Sequence, residues 1–412
     1  MPAGALRRPL VVYADGPDGP LPDPRRLRAV RRLEEPELLL GWVVRPPAWL
    51  DEVDLPVSTV LTGVGLRGAV ATGRVKAAHE RLSALPGLLA GRLRPAVAVV
   101  GAVADGRGWR CIGSVGWAPA AARAAREVVI ERWPSWPAGA GGPVDTPAIE
   151  GNVVEVVDRT DPPDEPQVAA PGEAERRIAS LVAGLLPEAA TLQWGPGRIG
   201  AAVVEAVERS VTVRSGVVTD ELVGLAERGL LHGVAEAAYA WGGSGLMALA
   251  ESGRLRLVAV ERSHDLGRLA AAPRFVAVNT GLEVGLDGAT NVEGAPGRIV
   301  SGPGGHPDFS LAAARSPGGL SVIAARATVG GRSSIVVRPA IVSTPHTDVD
   351  VVVTEHGVAD LRGLDPAGRA EALVAVADPA HRAALRREAT APRDVLREPG
   401  LGRLLPVVLD HV

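Results

Sequence analysis

The C-terminal half of the chain alternates between two hydrophobic patterns. Short apolar runs such as ATLQWG and VTVRSG are separated by longer stretches, RIGAAVVEAVERS and TDELVGLAERGLL, in which apolar residues recur every three or four positions. The first pattern is typical of buried strands and the second of amphipathic helices. Strands separated by helices of this length predict βαβ units in a mostly parallel sheet.

The same pattern continues toward the C-terminus. Further strands are predicted at LRLVAV, along the run from Phe275 to Leu286, and at SVIAAR, SSIVVRPAIVS and DVDVVVTE. Two helices then follow. The first is marked by Asp365 as N-cap and by Pro366 at the first helical position, where the missing N–H costs nothing.

The N-terminal half also mixes strands and helices. RPAVAVVGAVADG (Arg94 to Gly106) predicts a buried strand that ends in a turn, and APAAARAAREVVIERW predicts a helix that leads into another strand. The Ala-rich stretch VKAAHERL is predicted to be an amphipathic helix with Lys76 in solvent. No internal repeat at a fixed period is visible, although two α/β halves can share a structure without sharing a sequence.

One segment separates the two halves. Asp158 to Glu175, DRTDPPDEPQVAAPGEAE, is rich in Pro and acidic residues and has no hydrophobic period, which is typical of a surface linker. A chain of 412 residues also exceeds the size at which one hydrophobic core usually stops growing. We therefore predict two α/β domains, residues 1–172 and residues 173–412.

Composition narrows the class of protein. Hydrophobic content of 46% with charged content of 22% is that of a globular protein. The formal charge is −3 and the basic residues are dispersed, which argues against binding nucleic acid or an anionic membrane. Lys76 is the only Lys, so a Schiff-base mechanism is disfavoured. The single Cys111 excludes an internal disulfide and a cysteine-rich zinc site. With no signal-peptide core and no membrane-length apolar run, we predict a cytoplasmic protein without a metal cofactor.

Glu283 is the most informative residue, because it interrupts an apolar, strand-like run. An ionised carboxylate in an apolar setting costs several kcal/mol unless amides or a cation compensate it. The chain has only three Asn and two Phe, yet Asn279, Asn291, Phe275 and Phe309 all lie near Glu283. Two interpretations stay open on these grounds: a carboxylate nucleophile, or a buried structural acid held by amides.

A glycine-rich loop, IVSGPGGHPDF, lies downstream from Ile299 to Phe309. Its glycines allow backbone amides to approach an anion or a bulky ligand closely. The loop lacks the Lys of a phosphate-binding GxxxxGK[ST] motif and does not match a dinucleotide fingerprint, so a nucleoside triphosphatase or a nicotinamide enzyme is not favoured. The segment GGSGL also lacks the spacing of a serine nucleophile elbow.

A third segment runs from Asp348 to Gly363 and leads a predicted strand directly into TEHG. In open α/β sheets, ligands bind at the carboxyl ends of strands. Glu355 and His356 each have a purely structural interpretation, as a cap of backbone amides and as a turn residue. Gly357 is explained either by a positive φ or by a backbone N–H presented to a ligand oxygen.

Together these segments resemble the acetyl-CoA hydrolase/transferase family. VAVNTGLEVGLDGATNVEG is similar to the family's catalytic segment, SGPGGHPDF to its coenzyme A loop, and VVVTEHGVADLRGLDPAGRAEALVAVADPAHR to its C-terminal signature. LQWGPGRIGAAVVEAV resembles an opening unit of the C-terminal domain. The resemblance covers the chain from about Leu66 onward.

The resemblance implies two open α/β domains of the CoA-transferase type with the active site in the cleft between them. It implies an acyl-CoA:carboxylate CoA-transferase, with a thioester hydrolase or an idle acyl-CoA-binding homologue as alternatives, and a homodimer acting on small-molecule acyl-CoA and carboxylate substrates. Glu283 would be the nucleophile that forms a glutamyl-CoA thioester, and the amide of Gly357 would donate to the oxyanion. The expected coenzyme A contacts are Gly302, Gly304, Gly305, Asn279 and Asn291.

The chain departs from the family pattern at several points. Val284-Gly285 replaces the usual Val-Asp after the nucleophile, Pro303 replaces a small or aliphatic residue, and His306 replaces a frequent Gln. Members also begin with a helix, a strand and a glycine-rich turn that shapes the cleft. Residues 22–54 carry no such turn, which predicts altered recognition of the acyl group and the acceptor.

Overall fold

Two parallel sheets form the frame of the molecule, described by a computed structural model over residues 8–133, 146–159, 169–295 and 298–390. The N-terminal half contributes eight strands and four helices: β1 (Leu10–Tyr13), α1 (Arg28–Arg31), β2 (Glu37–Leu40), β3 (Val57–Thr59), α2 (Arg67–Ala71), β4 (Lys76–Ala77), α3 (Leu85–Ala90), β5 (Val97–Ala104), β6 (Trp109–Cys111), α4 (Ala118–Ala124), β7 (Glu127–Arg132) and β8 (Val153–Asp158). The strand order is β4-β3-β2-β1-β5-β7-β8, and β6 pairs antiparallel with β5.

The second half begins with a helix and builds a larger unit. Its first elements form the sheet and its covering helices: α5 (Glu173–Leu185), β9 (Thr191–Trp194), α6 (Arg198–Glu205), β10 (Thr212–Val218), α7 (Glu221–Glu227), β11 (Ala235–Ala240), α8 (Ser244–Glu251), β12 (Leu255–Leu257), α9 (Val260–Ser263), α10 (Leu266–Ala270) and β13 (Phe275–Thr280). The later elements are β14 (Glu283–Gly285), β15 (Thr290–Asn291), β16 (Gly294–Ala295), β17 (Arg298–Ile299), α11 (His306–Arg315), β18 (Leu320–Ala324), β19 (Thr328–Val329), β20 (Arg332–Ser333), β21 (Ile335–Val336), β22 (Val351–Thr354), β23 (Gly357–Asp360), α12 (Pro366–Val376) and α13 (Pro379–Thr390).

The second sheet has the order β12-β11-β10-β9-β13-β18-β22-β23, and β23 is its antiparallel edge strand. Short 3-10 helices lie at Pro24–Arg26, Val64–Leu66, Leu82–Ala84 and His346–Asp348. The three-stranded sheet β15-β14-β21 and two small hairpins lie outside the main sheets. The expected mostly parallel α/β architecture is confirmed. Asp365 also caps α12 as predicted, because its side chain accepts a hydrogen bond from the amide of Gly368.

Each sheet reverses direction beside its first strand. The chain moves outward from β1 to β4 and then returns to the other side of β1 with β5, and the second sheet does the same between β9 and β13. Ligands bind at such switch points, at the carboxyl ends of the strands. Each half therefore has one candidate ligand-binding edge. It lies at the carboxyl ends of β1 and β5 in the first half and of β9 and β13 in the second.

The two halves share a continuous hydrophobic core. Residues of both sheets belong to one buried cluster, and Trp42 packs edge-on against Tyr239 at 5.5 Å between ring centroids. Backbone hydrogen bonds join the halves as well, because Ala238 O accepts from the amides of Val115 and Gly116. The two halves therefore meet at a packed interface.

One sequence expectation in the first half was wrong, and one strand of the second half was not predicted. VKAAHERL is not a helix. Lys76 and Ala77 form strand β4, which pairs with β3 at the edge of the first sheet, and local propensity does not reveal such a pairing. β11, with the sequence AEAAYA, was not predicted because alanine and glutamate favour strands poorly. Upstream of residues 22–54, β1 runs into a turn from Ala14 to Pro20, in which Gly16 has a φ of +115°.

Candidate active site

Glu283 lies at the carboxyl end of the central strand β13, but on a separate short strand. The apolar run from Phe275 to Leu286 breaks after Thr280, and Gly281 turns the chain where a Cβ would lie 3.0 Å from Ile323 Cγ2. The expectation of one continuous strand with the carboxylate inside it was wrong. Glu283 begins β14 and is half-buried, so its carboxylate keeps contact with solvent.

Two donors hold the Glu283 carboxylate in place. Its Oε2 accepts a hydrogen bond from Asn291 Nδ2 at 2.8 Å and another from the amide of Ala340 at 2.8 Å. Both bonds end on the same oxygen, so Oε1 has no protein donor among the residues that the structure describes. A carboxylate anchored through one oxygen presents the other to a reacting group.

Asn291 faces Glu283 because the chain turns back at Asp287 and Gly288. The turn pairs β14 with β15 so that Glu283 and Asn291 stand directly opposite each other. Asp-Gly between two strand-forming segments is a strong hairpin signal, and it could have predicted a hairpin here. It would not have predicted the register, because the observed loop, Leu286 to Gly288, is one residue longer than a two-residue Asp-Gly turn. Asn291 is fully buried, and its Oδ1 accepts from the amides of Glu293 and Gly294. Its side chain therefore supports the nucleophile candidate, and the predicted contact with coenzyme A stays a prediction.

The sequence reasoning missed Glu293. This residue is 7% exposed, and its Oε1 accepts a hydrogen bond from Ser343 Oγ at 2.8 Å. Its Oε2 is hydrogen-bonded to Nδ1 of His79, which belongs to the N-terminal half. Its carbonyl oxygen accepts from the amides of Val300 and Ser301, at the start of the glycine-rich loop. No sequence signal joins His79 to Glu293, because they lie 214 positions apart.

The glycine-rich loop lies between the two halves. On one side, a Cβ on Gly302 would lie 2.7 Å from Leu61 Cδ1, and the amide of Leu82 donates to the carbonyl of Gly304 at 3.2 Å. On the other side, a Cβ on Gly305 would lie 2.3 Å from His264 Nε2. Gly304 has a φ of +56°, which favours glycine. The three glycines predicted from the sequence therefore fit a loop clamped on both faces.

His264 forms the inner wall of this loop. It is 1% exposed, its ring lies 4.7 Å from that of Phe309, and its Nδ1 is hydrogen-bonded to Ser263 Oγ. Burial lowers the pKa of His264 to about 3, so the ring is neutral at neutral pH. Burial also lowers the pKa of His306, the first residue of α11, to about 3. Neither histidine contributes positive charge to the site.

Asn279 lies on β13, on the side of the sheet that α11 covers. Phe275 and Ala277, which share its face of the strand, pack in one cluster with Phe309. Asn279 is 5% exposed and accepts a hydrogen bond from Gln193, while its Nδ2 has no partner among the described residues. Its role as a coenzyme A contact stays a prediction.

Gly357 lies in the TEHG turn, which is a hairpin. Thr354 pairs with Gly357 across β22 and β23, so Glu355 and His356 form the loop between them. Gly357 has a φ of +147°, in agreement with one of its two sequence interpretations. Glu355 is not a cap of its own turn, because its Oε2 accepts from the amide of Ala327.

The Glu283 segment and the TEHG hairpin both follow the carboxyl ends of strands in the same sheet. The register aligns Thr280 of β13 with Ala324 of β18, and Ala324 with Val353 of β22. Two neighbouring strand spacings put the ends of β13 and β22 roughly 10 Å apart. The structure thus brings Glu283 and Gly357 to one edge of the sheet, the edge at which α/β folds bind ligands.

Metal and membrane features are not found in the part of the chain that the structure describes. Among those residues, no three or more His, Cys, Asp or Glu side chains group closely enough to ligate a metal ion. None of the described helices combines the length and the apolar character that crossing a membrane requires.

Known proteins resemble this chain in sequence. Over 238 residues it is 26% identical to butyryl-CoA:acetate CoA-transferase of Anaerostipes caccae, which covers 53% of this chain and 53% of the relative. Over 220 residues it is 32% identical to acetyl-CoA hydrolase of Eremothecium gossypii, with 49% of this chain and 40% of the relative covered. The chain spans about half the length of the curated relatives it matches.

The structural likeness is more extensive. RipA from Yersinia pestis superposes with a TM-score of 0.78 at 22% identity, over 93% of each chain. The 4-hydroxybutyrate CoA-transferase of Porphyromonas gingivalis superposes with a TM-score of 0.69 at 26% identity, over 92% of each chain. The predicted two-domain α/β fold of the CoA-transferase type is confirmed. Residues 246–389 match the acetyl-CoA hydrolase/transferase C-terminal domain.

Proposed function

We propose that the protein is an acyl-CoA:carboxylate CoA-transferase that works through a glutamyl-CoA thioester on Glu283. The observation that carries the proposal is the state of this carboxylate. It is half-buried at a ligand-binding edge of the sheet, and it is anchored through Oε2 by Asn291 and the amide of Ala340. This arrangement leaves Oε1 as the attacking oxygen, with its direction fixed before substrate arrives.

The proposed reaction has two displacements before the acceptor enters. Glu283 Oε1 attacks the thioester carbonyl carbon of the acyl-CoA, the carbon–sulfur bond breaks, and a mixed anhydride and CoA thiolate result. The thiolate then attacks the Glu283 carbonyl carbon of the anhydride and releases the original acyl group as a carboxylate. The glutamyl-CoA thioester that remains reacts with an acceptor carboxylate by the same steps in reverse, which restores Glu283.

The remaining site residues receive supporting roles. The amide of Gly357 would donate to the oxyanion that develops at the thioester carbonyl, because a preorganised N–H stabilises charge in the transition state. Gly302, Gly304 and Gly305 would border the coenzyme A path. Binding energy from the distant parts of coenzyme A would then orient the reacting thioester. We expect small carboxylic acids as acceptors and no metal in the reaction.

Location and assembly are part of the proposal. We expect a cytoplasmic location, because the single Cys111 allows no internal disulfide. We expect a homodimer, as the family resemblance implies. Size-exclusion chromatography with light scattering would test the second expectation.

Hydrolysis is the second candidate function. Its support is the 32% identity to an acetyl-CoA hydrolase over 220 residues. In a hydrolase, water would resolve the anhydride or the glutamyl thioester. With a short-chain acyl-CoA, comparing release of free CoA with exchange that depends on an added carboxylate separates the two functions.

The covalent intermediate provides the direct test. Wild-type protein incubated with acetyl-CoA or another short acyl-CoA should gain the mass of CoA less one water, and borohydride should reduce the adduct at Glu283, located by peptide mapping. The variant Glu283→Gln should form none. Adduct on another peptide, or adduct that survives in Glu283→Gln, would refute the assignment. Coenzyme A binding without any adduct in the wild type would instead identify an idle acyl-CoA-binding homologue.

A further inference from the structure

We infer that His79, in the N-terminal half, is a positioning residue for the nucleophile, and that it acts through Glu293 and Asn291. The inference rests on the proposed function, because it gives the reason why Glu283 needs the other half of the molecule. His79 touches none of the reacting atoms in this scheme. Its role is to fix the segment that holds Glu283.

The backbone on both sides of His79 is held by its own half. The amide of Ala78 donates to Thr59 O at 2.8 Å, and the amide of Glu80 donates to Val60 O at 3.3 Å. Two backbone bonds that flank one residue fix the direction of its side chain. The imidazole of His79 is 16% exposed and reaches across the interface to Glu293 Oε2.

Glu293 passes this constraint to the nucleophile. Its amide donates to Asn291 Oδ1 at 2.9 Å, and Asn291 Nδ2 donates to Glu283 Oε2 at 2.8 Å. Its other carboxylate oxygen accepts from Ser343 Oγ, three residues beyond Ala340, whose amide is the second donor to Glu283. Both donors to the nucleophile therefore depend on segments that Glu293 ties down.

Glu293 also holds the glycine-rich loop, because its carbonyl oxygen accepts hydrogen bonds from the amides of Val300 and Ser301. A buried carboxylate with one lost partner carries a desolvation cost, so the segment would rearrange if His79 were removed. The His79–Glu293 bond therefore fixes three parts relative to one another: the N-terminal half, the glycine-rich loop and the Glu283 carboxylate.

The test compares His79→Leu with His79→Asn. The two replacements have nearly the same shape, but the Asn amide nitrogen can occupy the place of imidazole Nδ1 and donate to Glu293. We expect His79→Leu to slow formation of the glutamyl-CoA adduct about ten-fold or more, as loss of a hydrogen bond to a charged group does. We expect His79→Asn to recover most of the rate, and coenzyme A affinity in both to change less than the rate. His232→Leu is the matched control, because His232 is exposed and should leave the rate unchanged.

Hydrogen–deuterium exchange gives a readout that needs no chemistry. His79→Leu should accelerate exchange at the amides of Glu293, Gly294 and Ala340, while His79→Asn and His232→Leu should not. Equal rates of adduct formation in wild type and His79→Leu would overturn the inference, and so would equal losses in the Leu and Asn variants. If wild type forms no adduct with any acyl-CoA, the proposed function fails, and the exchange rates alone then decide the positioning role.

Discussion

The two halves have equivalent strand orders, but the acidic residues at the carboxyl edges of their sheets differ in exposure. In each sheet the chain reverses between the first strand and the fifth, β1 and β5 in one half and β9 and β13 in the other. The carboxyl edge of the second sheet leads into Glu283, which is half-buried. The carboxyl edge of the first sheet leads into Asp15 and Asp18, which are 1% and 4% exposed.

The difference comes from what covers each edge. Tyr239 of the C-terminal half donates its hydroxyl to Asp15 Oδ2 at 2.6 Å, and Ser114 donates to Asp18. Burial raises the pKa of both carboxyls to about 7, against the partly compensating bond from Tyr239 at Asp15 and the charge of Arg159 at Asp18. No such cover lies over Glu283 among the described residues. A switch point in the topology thus provides the opportunity for a site, and the neighbouring half decides whether it stays open.

The largest expected effect separates the two carboxylates by activity. Glu283→Gln should lower the CoA-exchange rate at least about a thousand-fold, as loss of a covalent nucleophile does. Asp15→Asn, the same chemical change at the equivalent edge, should keep the wild-type rate within a factor of about two because Asp15 meets no substrate. Steady-state exchange between an acyl-CoA and a labelled carboxylate measures both. Equal losses in the two variants would show that the closed edge also serves the reaction.

Substitution of a glycine at the first edge should lower stability alone, whereas substitution in the glycine-rich loop should also weaken coenzyme A binding. Gly16→Ala combines a φ of +115° with a Cβ that would lie 2.0 Å from Ser114 Oγ, so it should cost about 3 kcal/mol or more of unfolding free energy. Gly305→Ala would press on the ring of His264, with about 1–3 kcal/mol lost and weaker coenzyme A binding besides. Chemical denaturation and calorimetric titration with coenzyme A measure the two quantities.

The control for Gly305→Ala is the double variant with His264→Ala, which removes the nearer of two clashing rings and leaves Phe309 Cε2 at 2.8 Å from the new Cβ. If the double variant binds coenzyme A as poorly as Gly305→Ala, the contact with His264 is not the cause of the weaker binding. If Gly16→Ala weakens coenzyme A binding without loss of stability, the contrast between a structural glycine and a binding glycine fails.

The sequence predicted the parts of this contrast that depend on local pattern. The strands β5, β9, β10 and β22 were recognised from apolar runs bounded by turn residues, and Glu283 stood out because a carboxylate interrupts such a run. The family resemblance then supplied a role that residue chemistry alone had left open. The Asp-Gly dipeptide signals a hairpin after Glu283, but the register that places Asn291 opposite Glu283 is visible only in the structure.

The rest depends on contacts between distant residues. β1 has four residues and an Arg-rich approach, so its pattern was too short to recognise, and the glycine turn after it was missed with it. His79 reads as one polar residue in an Ala-rich stretch until the fold brings it to Glu293. Tyr239 and Asp15 meet across 224 positions of sequence, and no period or motif encodes that contact.

The closed edge should make stability depend on pH. The folded pKa of Asp15, about 7, lies above its ordinary value of 3.8, so the folded state binds more protons between pH 4 and 7. Its contribution to stability is therefore present at low pH and is lost as pH rises toward 7, with a slope of at most about 1.4 kcal/mol per pH unit. Asn imitates the protonated acid, so the melting temperature of Asp15→Asn minus that of wild type should increase from pH 5 to pH 8. A difference independent of pH would show that Asp15 does not titrate in this window.

The smallest expected effect concerns a contact between the N-terminal half and helix α11, which follows the glycine-rich loop. Ser83 donates its hydroxyl to Asp308 Oδ1 at 2.8 Å and its amide to Oδ2 at 3.2 Å, and Asp308 is fully buried. Ser83→Ala removes the first bond and keeps the second, so it should cost about 1 kcal/mol of unfolding free energy. The exposed Ser252, whose hydroxyl bonds only within its own helix end, is the control, and Ser252→Ala should change stability by less than about 0.5 kcal/mol. Because Asp308 lies in the first turn of the helix behind the glycine-rich loop, a loss of coenzyme A affinity that exceeds the loss of stability would mean that this contact positions the loop as well as the halves. Equal stability changes in the two serine variants would mean that the interface holds Asp308 through the backbone alone.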